Sequence, residues 1–388
     1  MKKILSLFSA VAILGISTFA AAADVIKIGH LAALTGPTSD VGTSYAEGVR
    51  AYADYINSKG GVNGKKIEVL TRDYAYDKKT AVTLYRSLVA DGIIALQGWG
   101  TADTEALKDQ VNVDKIPDLS ASYSANLTNP ADAPYNFFIA ADYTTQLRGA
   151  LKYAKDNWKE SRKPRVAFVY PNHPYGIAPI KGAKAYAEEI GFEILTDENV
   201  ALNAQEATTQ ILSLKNGAPD FVWIGGTTAS TSVILKGAKQ NGLKTQFIIN
   251  IWGNDESLPK RAEGAEEGVW GLHANSAYED DAPGMKAIKE VTKGVPQTIH
   301  YIRGWVSMMV MTEALKIADK AGKLSGEGIK EALETLKNFD TGGLTAPVTF
   351  TATDHRPNMS VKIFTFKSGQ LKKVASVELE RRADWLGL

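Results

Sequence analysis

From Asp24 onward the apolar positions of the chain follow two alternating patterns. Short runs rich in β-branched residues recur, and between them apolar residues return every three or four positions. Val25–Leu34 reads as a strand, and Tyr45, Val49, Tyr52 and Ile56 then mark one face of a helix. A turn at Lys59–Gly64 leads to a strand over 66–73, and a helix over 78–90, a strand over 93–98, a helix over 102–112 and a strand over 116–122 complete one set. A second set begins after Ala141. It comprises helix 144–158, strand 165–170, helix 177–190, strand 192–196, helix 205–215, strand 221–225, helix 229–241 and strand 246–251. These strands are continuously apolar, so each expects cover on both faces, and the fold class is α/β with parallel sheets between helices. The tail breaks the rhythm. A strand over 269–274 precedes helices near 282–292, 299–320 and 327–338, and then come β-rich pieces at 347–351 and 362–366, the latter turning at Lys367–Gly369 into 371–377. The chain thus starts a second lobe before finishing the first, an order that suits a cleft closed by hinge motion.

Composition narrows the function. The 388 residues carry 44 Lys+Arg against 43 Asp+Glu, a net charge of +1, with 44% hydrophobic residues and no cysteine. This is no footprint for nucleic acid, no composition for a polytopic membrane protein, and no basis for a disulfide, a thiolate metal site or a thiol nucleophile. At the start, Lys2 and Lys3, the apolar run from Ile4 to Phe19 and Ala20–Ala23 have the order of a cleaved secretory signal peptide spanning 1–23. The run is short for a bilayer, which needs about 20 residues. The expectation is an exported, unanchored protein in a bacterial periplasm.

Open α/β sheets hold ligands at the carboxyl ends of their strands, against helix N-termini. Six such corners stand out: Leu34–Ser39, Gly98–Asp103, Ser120–Ser124, Pro171–Gly176, Gly225–Thr228 and Ile251–Asp255. They are small, hydroxyl-rich and aromatic, without Lys or Arg, which suits a carboxylate on an apolar body as well as ordinary helix caps. Catalytic motifs are missing. There is no G-x-S-x-G, no phosphate-binding G-x-x-x-x-G-K-[ST] and no H-E-x-x-H, and Gly98-x-Gly100 lacks a third glycine because position 103 is Asp. His30, His173, His273, His300 and His355 share no metal-ligand spacing and read as surface or structural residues. Glu266-Glu267 and Asp280-Asp281 read as solvated loop charges. No metal and no cofactor is expected.

At these corners the chain resembles the periplasmic solute-binding proteins of branched-chain amino-acid ABC transporters. The resemblance rests on Thr35-Gly36-Pro37, the segment 57–64, Asp73-Tyr-Ala-Tyr-Asp77, Tyr175-Gly176, the segment 220–226 and the segment 242–247. It implies two Rossmann-like lobes joined by three hinge crossings, at roughly 24–142 plus 272–353 and 143–271 plus 354–388. It implies a ligand carboxylate met by Thr101, Ser122 and Ser124, with Tyr175 closing over it and Val41 and Trp99 lining the side-chain pocket. Thr227 falls where relatives often place an aromatic, and Tyr76 and Gly100 stand where familiar relatives carry a disulfide. The family's ammonium-binding acid aligns with Ile251. Either Asp255 takes over that role, or the ligand has no amine; Trp99 and Trp252 at strand ends would enclose a flat apolar group or serve as packing between the lobes.

The expected function is therefore non-enzymatic: a monomeric binding subunit that takes a small carboxylate-bearing solute, an amino acid or related organic acid or amide, and presents it to an inner-membrane ABC permease. Two other classes share the same cleft, a sensor reporting ligand to a regulatory partner and a hydrolase on the same scaffold.

Overall fold

The computed structural model describes residues 25–388; the expected signal peptide lies outside them. The first lobe opens with β1 (Val25–Ala32), α1 (Ser39–Ser58), β2 (Lys66–Asp73), α2 (Lys78–Ala90), β3 (Ala95–Gln97), α3 (Thr101–Asp114), β4 (Asp118–Leu119) and β5 (Asn136–Phe137). The second follows with α4 (Tyr143–Asn157), β6 (Arg165–Tyr170), α5 (Pro174–Ile177), α6 (Ile180–Glu189), β7 (Glu193–Asn199), α7 (Thr208–Gly217), β8 (Phe221–Ile224), α8 (Thr228–Gln240), β9 (Gln246–Ile249), α9 (Leu258–Ala262) and β10 (Trp270–His273). Helices α10 (Met285–Val291), α11 (Ile299–Lys320) and α12 (Gly326–Glu334) come next, and β11 (Ser360–Lys367) and β12 (Gln370–Glu378) end the chain.

Two sheets result. The first is wholly parallel in the order β2-β1-β3-β4-β5, and the second runs β12-β11-β10-β9-β8-β6-β7, parallel from β10 to β7 with β11 antiparallel to both β10 and β12. Both faces of each central strand are buried, as continuous apolar runs require. In the second sheet Phe168 and Trp223 point into one core with Leu147 and Ala187, while Val169 and Ile224 point into another with Ile211 and Leu235. Helices α10–α12 return to the first lobe, where Ile302, Trp305 and Leu333 join the core of Ile26 and Ile28. The chain passes between lobes after β5, after β10 and before β11.

Four expectations need correction. Residues 347–351 form no strand of either sheet and hold only isolated bridges, Phe339 to Val348 and Thr351 to Asp354. The helix expected over 177–190 is split, because Pro179 cannot supply the amide that would continue α5 into α6. Asn136–Phe137, two residues with no strand signature, closes the edge of the first sheet beside β4. Glu266 is buried at 3% exposure rather than solvated, with its neighbour Glu267 exposed.

Candidate functional site

In each sheet the strand order reverses once at the centre, between β1 and β3 and between β6 and β8. Connections leave such a reversal in opposite directions and open a crevice at the carboxyl ends. Here the two crevices face one another. Thr38 and Val41 follow β1, Trp99 to Thr101 follow β3, and Ala121 follows β4; opposite them stand Tyr175 after β6, Thr227 after β8 and Trp252 after β9. Together with Tyr76 and Tyr143 they line a partly open cavity of about 20 Å³, room for little more than one water while the lobes stand this close.

Aromatic rings make the walls, and their polar atoms are tied down. Trp99 and Trp252 meet edge to face at 4.9 Å, with Tyr45 behind Trp99 at 5.2 Å. Trp99 Nε1 donates to Thr38 Oγ1 at 3.0 Å, and Trp252 Nε1 donates to the Tyr143 hydroxyl at 2.9 Å, which donates in turn to the Ala121 carbonyl at 3.2 Å. Tyr175 lies edge-on to Tyr143 at 5.6 Å, its hydroxyl 2.7 Å from Asn250 Oδ1 and 3.0 Å from the Gly226 carbonyl. A large amphipathic ring whose polar tip is bonded elsewhere presents only its apolar body to a ligand.

The polar lining comes from helix starts. Thr38 is the N-cap of α1, Gly100 of α3 and Thr227 of α8, so three helix N-termini converge on one cavity. Each brings partial positive charge, a stabilisation of about 0.3–2 kcal/mol for an anion, although the Ser39 and Val41 amides of α1 and the Ala229 amide of α8 are already bonded. Thr227 Oγ1 is buried without a hydrogen-bond partner. Among the described residues no charged side chain lines the cavity. Two acids stand behind the lining: Asp103, whose Oδ2 accepts the Gly100 amide at 3.1 Å, and Asp40, whose Oδ2 accepts the Ala229 amide of α8 at 2.8 Å across the cleft; burial raises the pKa of Asp40, against that amide bond.

Of the residues nominated from sequence, Val41, Trp99, Thr101, Tyr175, Thr227 and Trp252 meet at this cavity. Ser122 sits one layer behind, donating to Thr101 Oγ1 at 3.0 Å. Ser124 turns away to Glu105 at 3.1 Å and lines a separate groove beside Arg148 and Trp385. Asp255 is committed elsewhere: it accepts from Thr228 at 3.0 Å and from the Ser257 amide at 2.7 Å, and lies 3.1 Å from His300 Nε2. Burial alone would raise its pKa, but these bonds and the His300 interaction hold the carboxyl well below the usual range. Behind it Arg303 donates to His300 Nδ1 at 2.8 Å and to the Ile251 carbonyl at 3.2 Å, with its guanidinium 4.3 Å over the Trp252 ring. The histidines at 273 and 300 are thus buried parts of a polar network beneath Trp252. Four lining residues besides Ala121 escaped sequence reasoning as ligand contacts. Thr38 and Gly100 lay in nominated corners, Tyr76 lay in a family-like segment as a stand-in for a disulfide position, and Tyr143 begins a helix beyond a lobe crossing.

The Gly98-x-Gly100 pair now has a packing reason. A Cβ at Gly98 would lie 2.5 Å from the Asp118 carboxylate, and one at Gly100 would lie 2.4 Å from the Tyr76 ring. Among the described residues no group of three or more His, Asp or Glu side chains is placed to hold a metal, and no helix is long and apolar enough to cross a membrane.

Comparison with known proteins bears on the fold and the family. The chain is 26% identical over 338 residues to a leucine-, isoleucine-, valine-, threonine- and alanine-binding protein of Pseudomonas aeruginosa, covering 86% of this chain and 88% of that protein. Among solved structures, an ABC transporter substrate binding protein of Aeropyrum pernix superposes with a TM-score of 0.86 at 32% identity, over 94% of this chain and 98% of the other. A branched-chain amino acid ABC transporter protein of Thermus thermophilus, with bound valine, shares the fold at a TM-score of 0.86 and 23% identity, over 92% and 97%. The profile of the periplasmic binding protein family matches residues 25–370, and the chain therefore belongs to that family.

Proposed function

We propose that this protein is the periplasmic substrate-binding subunit of an ABC importer, taking one small carboxylate-bearing solute with an apolar body and delivering it unaltered to a membrane permease. The observation that carries the reading is the cavity at two facing strand-order reversals, lined from both lobes, with three helix N-termini for an anion and aromatic walls for the rest. The carboxylate meets Thr101, with Ser122 fixing that hydroxyl, and Thr227 supplies a buried hydroxyl from the other lobe. Val41, Trp99 and Trp252 enclose the apolar body, whose burial contributes about 25 cal/mol per Å². Tyr175 closes from the second lobe. Hinges at the three crossings, near 142, 272 and 353, let the lobes part, and the ligand shifts the balance toward the closed form by touching both.

The Pseudomonas relative is named for leucine, isoleucine, valine, threonine and alanine, yet by the family resemblance Ile251 stands at the position of the ammonium-binding acid, and Asp255 is already bonded to Thr228, Ser257 and His300. An unpaired buried ion costs several kcal/mol, so the geometry favours an amine-free acid, aromatic or branched. A thermal-shift screen of leucine and valine against benzoate, phenylacetate, 3-methylbutanoate and simple amides tests both levels. Stabilisation by amine-free carboxylates alone is the expected result. Stabilisation by leucine or valine would overturn the ligand class and leave the binding function standing; no stabilisation by any carboxylate would count against the function itself.

A further inference from the structure

Tyr76 closes the cavity on its outer side, and the backbone is bent to put it there. Ala75 and Tyr76 have φ of 51° and 61°, the left-handed region that costs an L-residue roughly 1–2 kcal/mol. Two such residues in succession persist only where the surroundings over-determine the turn. They do so here. Asp73 Oδ1 accepts the amides of Leu34 and Ala75, each at 3.0 Å, and Asp73 Oδ2 accepts the Thr35 hydroxyl at 2.7 Å. Gly36, at φ 82°, lets the neighbouring corner lie against the turn, since a Cβ there would fall 2.2 Å from the Ala75 carbonyl oxygen. The result throws the Tyr76 ring off the first lobe and over the cleft.

Three contacts define what the ring does. On its inner side it rests on Gly100, the helix start at the cavity floor, where any side chain would displace it. On its far side it stacks on His173 of the second lobe, centroids 5.1 Å apart and planes at 28°. His173 Nδ1 accepts the Tyr175 amide at 3.3 Å, so the imidazole is anchored to the residue that closes the cavity from that lobe. Burial, with Lys78 nearby, lowers the His173 pKa, and the stack is one of neutral rings. Beyond the ring lies an outer pocket lined by Pro37, Pro171, His173 and Leu202, and among the described residues Tyr76 is the one residue shared by the two linings.

Resting on the binding function above, we propose that Tyr76 is the gate of the site: its ring, stacked on His173 across the cleft, separates the bound solute from the outer pocket and sets the rate of release. The strained turn is a rigid bracket, so the gate opens by parting from His173 as the lobes separate.

The test measures release by stopped-flow fluorescence with 3-methylbutanoate and L-leucine as probes, alongside acrylamide quenching of tryptophan in the unliganded protein. Tyr76→Ala is expected to speed release tenfold or more while the dissociation constant changes by less, the signature of a gate rather than of a contact. Tyr76→Phe keeps the ring and should restore slow release, and His173→Ala should reproduce part of the acceleration. Ala75→Gly relieves strain without touching the ring and should leave release slow. Release from Tyr76→Ala within twofold of the parent would overturn the proposal. Should neither probe bind the parent protein, the function fails for that ligand class, and quenching decides the gate alone: Trp99 and Trp252 must become more accessible in Tyr76→Ala, and equal quenching would end it.

Discussion

Trp252 shows how much one side chain at this site does. The Arg303 guanidinium covers one face at 4.3 Å, His300 and Tyr123 stack at 5.3 and 5.7 Å, and its indole N–H holds Tyr143 in place. On the same side of the cavity Tyr175 is held by fewer contacts, an edge-on Tyr143 ring and hydroxyl bonds to Asn250 and the Gly226 carbonyl. Tyr175→Ala should therefore weaken ligand binding tenfold or more, by isothermal calorimetry with whichever carboxylate the screen identifies, while the melting temperature of the unliganded protein stays nearly constant. Equal affinity would remove Tyr175 from the site. A second residue-scale test concerns the core. Burial, helped by Arg50, lowers the His30 pKa from 6.5 to about 3. The unfolded chain takes up this proton below pH 6.5 and the folded chain refuses it, so stability at this residue is full above pH 6.5 and is lost as pH falls toward 3. His30→Gln removes that dependence. The stability advantage of the parent over this variant, from urea unfolding, should shrink by about 1–2 kcal/mol between pH 7 and pH 5, within the limit of about 1.4 kcal/mol per pH unit for one proton. A constant difference would show that His30 titrates freely in the fold.

Among the elements, α1 and α11 make the closest crossing. A Cβ at Gly48 would lie 2.0 Å from the Tyr301 carbonyl oxygen, and one at Gly304 would lie 2.0 Å from the Tyr45 carbonyl oxygen. The two glycines face opposite backbones, so neither helix can accept a side chain there without moving apart. Glycine inside a helix otherwise costs about 1 kcal/mol against alanine, which makes Gly304→Ala a discriminating change. Propensity alone predicts stabilisation; this packing predicts a loss of about 1–3 kcal/mol by chemical denaturation, the usual cost of overpacking. The span of α11 was readable over 299–320, although the helix is buried nearly all round rather than on one face, and that of α2 over 78–90, where Asp77 caps it by accepting the Thr80 amide at 2.7 Å. The partner of each helix was not readable, since a period states that a face is buried and never against what.

For the whole molecule the decisive fact is that the cleft is continuous with the first lobe's core. Tyr175, Leu202, Ile251 and Trp252 belong to the same apolar cluster as Leu31 and Val41. Opening would expose that surface, so closure is favoured wherever a ligand fills the gap. Asp40 adds a polar tie, its carboxylate on the α8 amide of Ala229. Asp40→Ala should shift the unliganded protein toward the open form, raising the radius of gyration by X-ray scattering and weakening ligand binding three- to tenfold. An unchanged scattering profile would show that the tie contributes nothing to closure. Ligand should compact the parent protein measurably.

Strand and helix alternation, burial of strands on both faces and the corners at strand ends were all legible along the chain, because each is a local consequence of spacing and residue type. So was most of the cavity lining, since corners at a sheet's carboxyl edge must carry it. Three things waited for the tertiary structure. Asp255 looked available until His300, forty-five positions later, took it; Ser124 looked like a ligand contact until Glu105 turned it away; and Tyr76 looked like a mere replacement at a disulfide position until His173 of the other lobe stood against it. Each depends on a partner distant along the chain, within one lobe for Ser124 and across the two for Asp255 and Tyr76, and only tertiary packing decides which polar atoms are already satisfied and which remain to meet a ligand.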